Sequence, residues 1–144
     1  MKIEHIIGKF KNRIPRPIDV KKEYSVLIPL IMNNGKWEVI YELRSKHISQ
    51  PGEISFPGGR VEKDESYKQA AIRETMEELN IDENNIEVIG ELDYLVSYEN
   101  IRINCFFGII TGIDLEDINP DKNEVDHIFT VPLDFFLETE PDTY

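Results

Sequence analysis

Three glutamates, Glu74, Glu77 and Glu78, stand at positions i, i+3 and i+4 of a stretch made mostly of good helix formers. On a helix that spacing puts their carboxylates on one face. Near a helix C-terminus the arrangement is costly, because like charges repel at i+4 and the macrodipole there favours cations. A bound cation removes both penalties. All-oxygen donors suit Mg²⁺ or Mn²⁺ rather than zinc, and no Cys or His lies nearby. The competing reading is a solvated acidic face on a surface helix, the usual meaning of a run of charge. The Pro57-Gly58-Gly59 turn just upstream, and the spacing itself, favour the metal.

The helix that must carry these acids has a legible start and end. Ser66 followed by Gln69 fits a capping box, so the helix begins near Ser66. Ala71, Thr75 and Leu79 recur every four residues and form the expected buried stripe. Asn80 readily takes the left-handed conformation that closes a helix. A glycine loop at Gly58-Gly59 is expected to feed the chain towards it.

Together these residues resemble the Nudix box, the signature of the Nudix hydrolase family. Gly59, Glu65, Arg73, Glu74, Glu77, Glu78 and Ile81 fall in its register. Thr75 takes its small or apolar place, and Asn80 replaces its last glycine. The resemblance implies an α/β fold, an α/β/α sandwich around a mixed β-sheet. It implies that Glu74 and Glu78 are the principal ligands of Mg²⁺ or Mn²⁺, with Glu77 assisting and Gly59 lending its carbonyl. It also implies that Arg73 pairs with Glu65 to aim the helix, and that a metal-bound water attacks phosphorus. A base is expected from a distal loop, with Glu124 first and Glu99 second; each is otherwise a solvated loop acid. Glu77, Glu78 and Glu124 are thus the expected catalytic acids.

The segment before the box is similar to that of coenzyme A pyrophosphatases. Arg44, Ser45, Gly52, Phe56, Pro57, Gly58 and Gly59 match. The gap from Arg44 to Gly52 is one residue short of that pattern and its later arginine is absent. Ser49 stands nearest that place, and Lys46 or His47 could supply the charge. Arg44, Ser45, Gly52 and Phe56 are the expected substrate contacts. Arginine suits bidentate phosphate recognition, with a surface ion pair as the alternative role for Arg44. Phe56 reads equally as core, and His47 as an ordinary loop histidine.

The 144 residues are read as a single Nudix domain. A helix over 1–14, with an apolar stripe at Ile3, Ile6, Ile7 and Phe10, is expected to pack on it. Strands are expected at Tyr24–Met32, broken by Pro29, then after an Asn34-Gly35 turn at Trp37–Leu43. Ile86–Leu95, a central Ile101–Thr111 and Asp126–Val131 follow, with Tyr98 and Glu99 in a loop facing substrate and a short helix from Leu133. Lone Cys105 reads as filler. The part after Tyr144 that similar proteins carry is expected to be missing.

The net charge of −12 disfavours nucleic acid and anionic membranes as partners. It suits a phosphate substrate only when metal screens the site. With neither a leader nor an apolar run near 18 residues, a cytoplasmic location is expected. A homodimer is compatible with the sequence. Three functions are carried: a pyrophosphatase splitting coenzyme A or its derivatives, one acting on ADP-ribose, dinucleotides or nucleoside triphosphates, and a catalytically silent nucleotide-binding module. In each the partner is a small-molecule nucleotide diphosphate derivative.

Overall fold

The computed structural model describes residues 3–11, 22–48, 50–97 and 99–138. In chain order the elements are α1 (Ile3–Phe10), β1 (Lys22–Asn33), β2 (Lys36–Arg44), β3 (Ile54–Ser55) and β4 (Gly58–Arg60). After them come α2 (Tyr67–Leu79), β5 (Ile86–Glu91), β6 (Leu95–Val96), β7 (Ile101–Ile110), β8 (Val125–Pro132) and α3 (Leu133–Glu138). The eight strands make one mixed sheet. β1 and β7 run parallel from Lys22 opposite Ile101 to Ile31 opposite Ile110, and the other pairings are antiparallel.

Pro29 does not break β1, as the sequence had suggested. The backbone N–H of Leu27 points to the β4 side, where it donates to the Pro57 carbonyl at 2.9 Å. Pro29, two residues on, faces the same side. There β4 pairing ends at Val26 and β2 pairing begins at Leu30, so the missing N–H removes no ladder bond. Asn34 and Gly35, both at positive φ, make the two-residue turn into β2.

The core joins the sheet to α2. Leu27, Ile31, Ile40, Phe106 and Ile110 pack with Ala71 and Leu79 of the helix. Ala71, Thr75 and Leu79 are fully buried. Burying a leucine completely is worth about 1.5–3 kcal/mol. Thr75 satisfies its hydroxyl by donating to the Ala71 carbonyl at 2.7 Å. The capping box forms in both directions: Ser66 Oγ accepts from the Gln69 N–H at 3.1 Å, and Gln69 Oε1 accepts from the Ser66 N–H at 2.9 Å. Asn80 ends the helix in the left-handed conformation, φ 52°.

Several expectations are corrected. Gly58-Gly59 is not a loop but strand β4 against Ser25 and Val26 of β1. A Cβ on Gly58 would sit 2.5 Å from the Ser25 carbonyl oxygen, so only glycine allows that approach. The strand expected over Ile86–Leu95 bulges between Val88 and Gly90 and ends at Glu91; β6 resumes at Leu95. Of the helix expected over 1–14, Ile3–Phe10 is helical, while residues 1–2 and 12–14 lie outside the described residues. Ile3, Ile6 and Ile7 are exposed rather than packed. Ser49, Tyr98 and residues 139–144 also lie outside the described residues. The expected α/β fold around a mixed sheet stands, with α2 covering the core and α3 touching β2 and β8. Among the described residues no helix is long and apolar enough to cross a membrane.

The capping box makes a measurable contribution. Ser66→Ala should lower unfolding stability by about 1 kcal/mol in urea titrations; an unchanged midpoint would show that the box does not hold the helix.

Candidate metal centre

Glu74 and Glu78 lie one turn apart on α2, and Glu124 reaches them from the loop before β8. One carboxylate oxygen of each lies within 4.8 Å of the others. The meeting is enforced by backbone bonds. The Asp121 N–H donates to the Glu78 carbonyl at 2.9 Å, and Asn80 Nδ2 donates to the Asn119 carbonyl at 2.9 Å. Both tie the loop to the end of α2, and the first satisfies a carbonyl the helix leaves without an internal partner. The Ser45 N–H then donates to the Glu124 carbonyl at 2.9 Å, fixing the loop to the end of β2.

Each helix acid is also aimed. Glu78 Oε2 accepts from the Gly58 N–H at 2.8 Å. Glu74 Oε1 accepts from Arg73 Nη1 at 2.8 Å. Gly59 leaves room for this: a Cβ there would overlap the Glu74 carboxyl carbon and sit 2.6 and 2.7 Å from its oxygens. Arg73 is itself held by a fork on Glu65, Nε to Oε2 at 2.7 Å and Nη2 to Oε1 at 3.0 Å, and it also donates to the Arg60 carbonyl. The hydrogen bonds from Arg73 hold the Glu65 carboxyl below its usual range.

The electrostatics are those of a site where acids outnumber the cations Arg44 and Arg73. Burial, reinforced by Glu42, Glu74 and Glu124, drives the Glu78 carboxyl well above the carboxylate range. Burial does the same to Glu42, with Glu124 and Glu74 adding to it and Arg44 opposing it. Glu74 is raised by burial, against the pull of Arg73. Glu42 Oε1 is buried with no hydrogen-bond partner among the described residues. Crowded oxygens, one of them unsatisfied, match the donor set of a hard divalent cation. The residues therefore fit such an ion.

The cluster opens on a cavity of about 720 Å³ lined by Arg44, Phe56, Gly59, Glu78, Glu99 and Glu124, among others. Phe56 is half-buried and stacks on Tyr41 at 4.8 Å. Ser45 and Gly52 do not line it. Ser45 is buried, with its hydroxyl accepting from the His47 N–H at 3.2 Å, and exposed Gly52 closes the loop by donating its N–H to the Arg44 carbonyl at 3.1 Å. His47 is exposed and away from the cavity. Glu77 is not brought to the cluster; its side chain is 53% exposed, 3.5 Å from Arg73. Half-buried Cys105 stands in β7, its thiol raised by burial. Sequence reasoning missed Glu42. Its signal was alternation: two residues before Arg44, it shares that residue's face and that of Ile40.

A family model described as NUDIX domain matches residues 21–143. The chain is 33% identical over 129 residues to Nudix hydrolase 3 of Caenorhabditis elegans, covering 88% of this chain and 54% of that protein. It is 32% identical over 123 residues to a mitochondrial coenzyme A diphosphatase of Mus musculus, covering 83% of this chain and 59% of that one. The chain thus spans between half and three fifths of the length of these relatives. A C. elegans Ap4A hydrolase binary complex shares the fold at TM-score 0.65 and 22% identity, covering 80% of this chain and 83% of that one. So does the NUDIX domain of Shewanella oneidensis NrtR complexed with ADP ribose, at TM-score 0.60 and 17% identity, covering 97% and 88%.

Because Glu42, Glu74 and Glu78 titrate above their unfolded values, the folded chain holds more protons than the unfolded one across that interval. Without metal, their contribution to stability is present at acidic pH and is lost as pH rises from the ordinary carboxylate range towards the raised values. In EDTA the melting temperature should therefore fall between about pH 5 and about pH 8, and saturating Mn²⁺ should raise it more at the higher pH. Calorimetry checks both; a gain from Mn²⁺ that is equal at both pH values contradicts the assignment.

Proposed function

The chain belongs to the NUDIX family, and from that premise we propose that it splits the diphosphate of a nucleotide derivative with Mg²⁺ or Mn²⁺ bound. Coenzyme A or its derivatives lead as substrate, with adenosine 3′,5′-bisphosphate and 4′-phosphopantetheine as products. The observation that carries this reading is the meeting of Glu74, Glu78 and Glu124 within 4.8 Å, on a cavity that Arg44 also lines. A relative 32% identical is named as a coenzyme A diphosphatase, and Arg44, Phe56 and the glycines follow the pattern of that subfamily.

Glu74 and Glu78 would hold the cation, with the Gly59 carbonyl and one oxygen of Glu124 beside them. Bound there, a divalent ion supplies charge neutralisation of the diphosphate and a water ionised near neutral pH. Arg44 provides two parallel N–H donors to a non-bridging phosphate oxygen pair, from the rigid end of a strand. The other oxygen of Glu124 would take the proton of the attacking water as the water oxygen bonds to phosphorus and the anhydride P–O bond breaks. The leaving phosphate departs as its anion. Phe56 offers the apolar wall. Glu65 and Arg73 position Glu74, and exposed Glu77 supports Arg73.

A second reading is an ADP-ribose or dinucleotide pyrophosphatase. It is favoured by two fold neighbours, an Ap4A hydrolase and a NUDIX domain complexed with ADP ribose. A panel of coenzyme A, ADP-ribose, NADH and ATP with Mg²⁺ separates the two. Turnover of coenzyme A is expected; turnover of ADP-ribose with coenzyme A untouched selects the second, and binding without turnover leaves a silent module. Glu78→Gln should lower turnover by at least about 100-fold, the upper end of what even outer-shell changes cost at metal sites, while the fold persists by circular dichroism. Near-normal rates would refute the ligand role.

A further inference from the structure

We infer that Glu42 is a fourth carboxylate of the cation site, supplied by the sheet rather than by the helix or its following loop. The inference rests on reading Glu74, Glu78 and Glu124 as that site.

Glu42 is fixed by its strand. At this point β2 is paired on both sides, with Ser55 of β3 and Ile128 of β8 as the partners of Glu42 itself. Its backbone therefore cannot swing away. Ile40, two residues earlier and on the same face, packs in the core with Ala71 and Leu79 of α2. Glu42 continues that face towards the turn of α2 that carries Glu78.

The residue is 1% exposed, and its Oε1 has no hydrogen-bond partner among the described residues. A buried carboxylate is ordinarily paired or bound to metal, because stranding it unpaired is costly. An apolar side chain would fill the same place at lower cost. The charged groups that act on Glu42 are Arg44, Glu124 and Glu74, and Glu42 in turn acts on Glu78. Its carboxylate neighbours are thus the acids of the cluster, and Arg44 is the cation that offsets them. It lies outside the trio whose oxygens fall within 4.8 Å of one another, on strand β2. A hard dication takes six or more oxygens, more than three carboxylates give by one oxygen each, and the unsatisfied Oε1 can hold a water of its shell.

Mn²⁺ titration calorimetry on the wild-type chain, Glu42→Gln and Glu78→Gln tests this without any substrate. Glu42→Gln keeps shape and removes charge; it should weaken Mn²⁺ binding at least about tenfold, as removal of a supporting group at a metal site does. Unchanged affinity in Glu42→Gln, with binding lost in Glu78→Gln, overturns the inference and leaves the cation site standing. Unchanged affinity in both overturns the cation site itself and this inference with it. Should Glu42→Gln not fold, Glu42→Asp keeps the charge but shortens its reach, and the same tenfold loss or its absence decides.

Discussion

Mutual repulsion among crowded carboxylates, buried or half-buried, is the constraint around which this chain is arranged. Two unit charges 4 Å apart interact by about 4 kcal/mol at an effective dielectric constant near 20. Oxygens of Glu74, Glu78 and Glu124 lie within 4.8 Å of one another, Glu78 in the last turn of a helix whose dipole disfavours anions, and Glu42 of β2 adds to the charge on Glu78. A chain could relax such crowding by letting the acids turn to solvent. Here they are denied that freedom. The Gly58 N–H holds Glu78, Arg73 holds Glu74, and the Asp121 and Ser45 amides hold the loop that carries Glu124. The fold confines acidic groups where their charge is least comfortable, and a divalent cation would make the confinement favourable.

The supports are layered. Glu65 orients Arg73, which orients Glu74; Asn80 closes α2 and ties it to the loop beyond. β4 exists because two glycines let the backbone press against β1 and against the Glu74 carboxyl group at once. Core packing beneath α2, through Ala71, Thr75 and Leu79, sets the height of the helix over the sheet. Substitution at any of these places would act on the acids at one remove.

Much of this was legible in the sequence, because local rules govern it. The capping box at Ser66, the left-handed end at Asn80, the buried stripe on α2 and the Asn34-Gly35 turn all follow from near neighbours in the chain. Contacts set by strand pairing were not legible. Pro29 looked like a break because its safety depends on where β4 ends and β2 begins. Gly58-Gly59 looked like a loop because its partner, β1, lies more than thirty residues away. Glu77 looked equivalent to Glu78 by spacing, yet Glu77 faces solvent and Glu78 is buried, a distinction of less than one helical turn that packing decides. Glu42 was hidden by its setting in an ordinary strand, with only its alternation with Ile40 and Arg44 to mark it.

The central claim is that these acids are gathered for a dication, and an anomalous difference map from crystals soaked in excess Mn²⁺ tests it most directly. The account predicts a peak bounded by oxygens of Glu74, Glu78 and Glu124, with their side chains in place around it. A map with no peak there, and the same carboxylates turned apart into solvent, would contradict it.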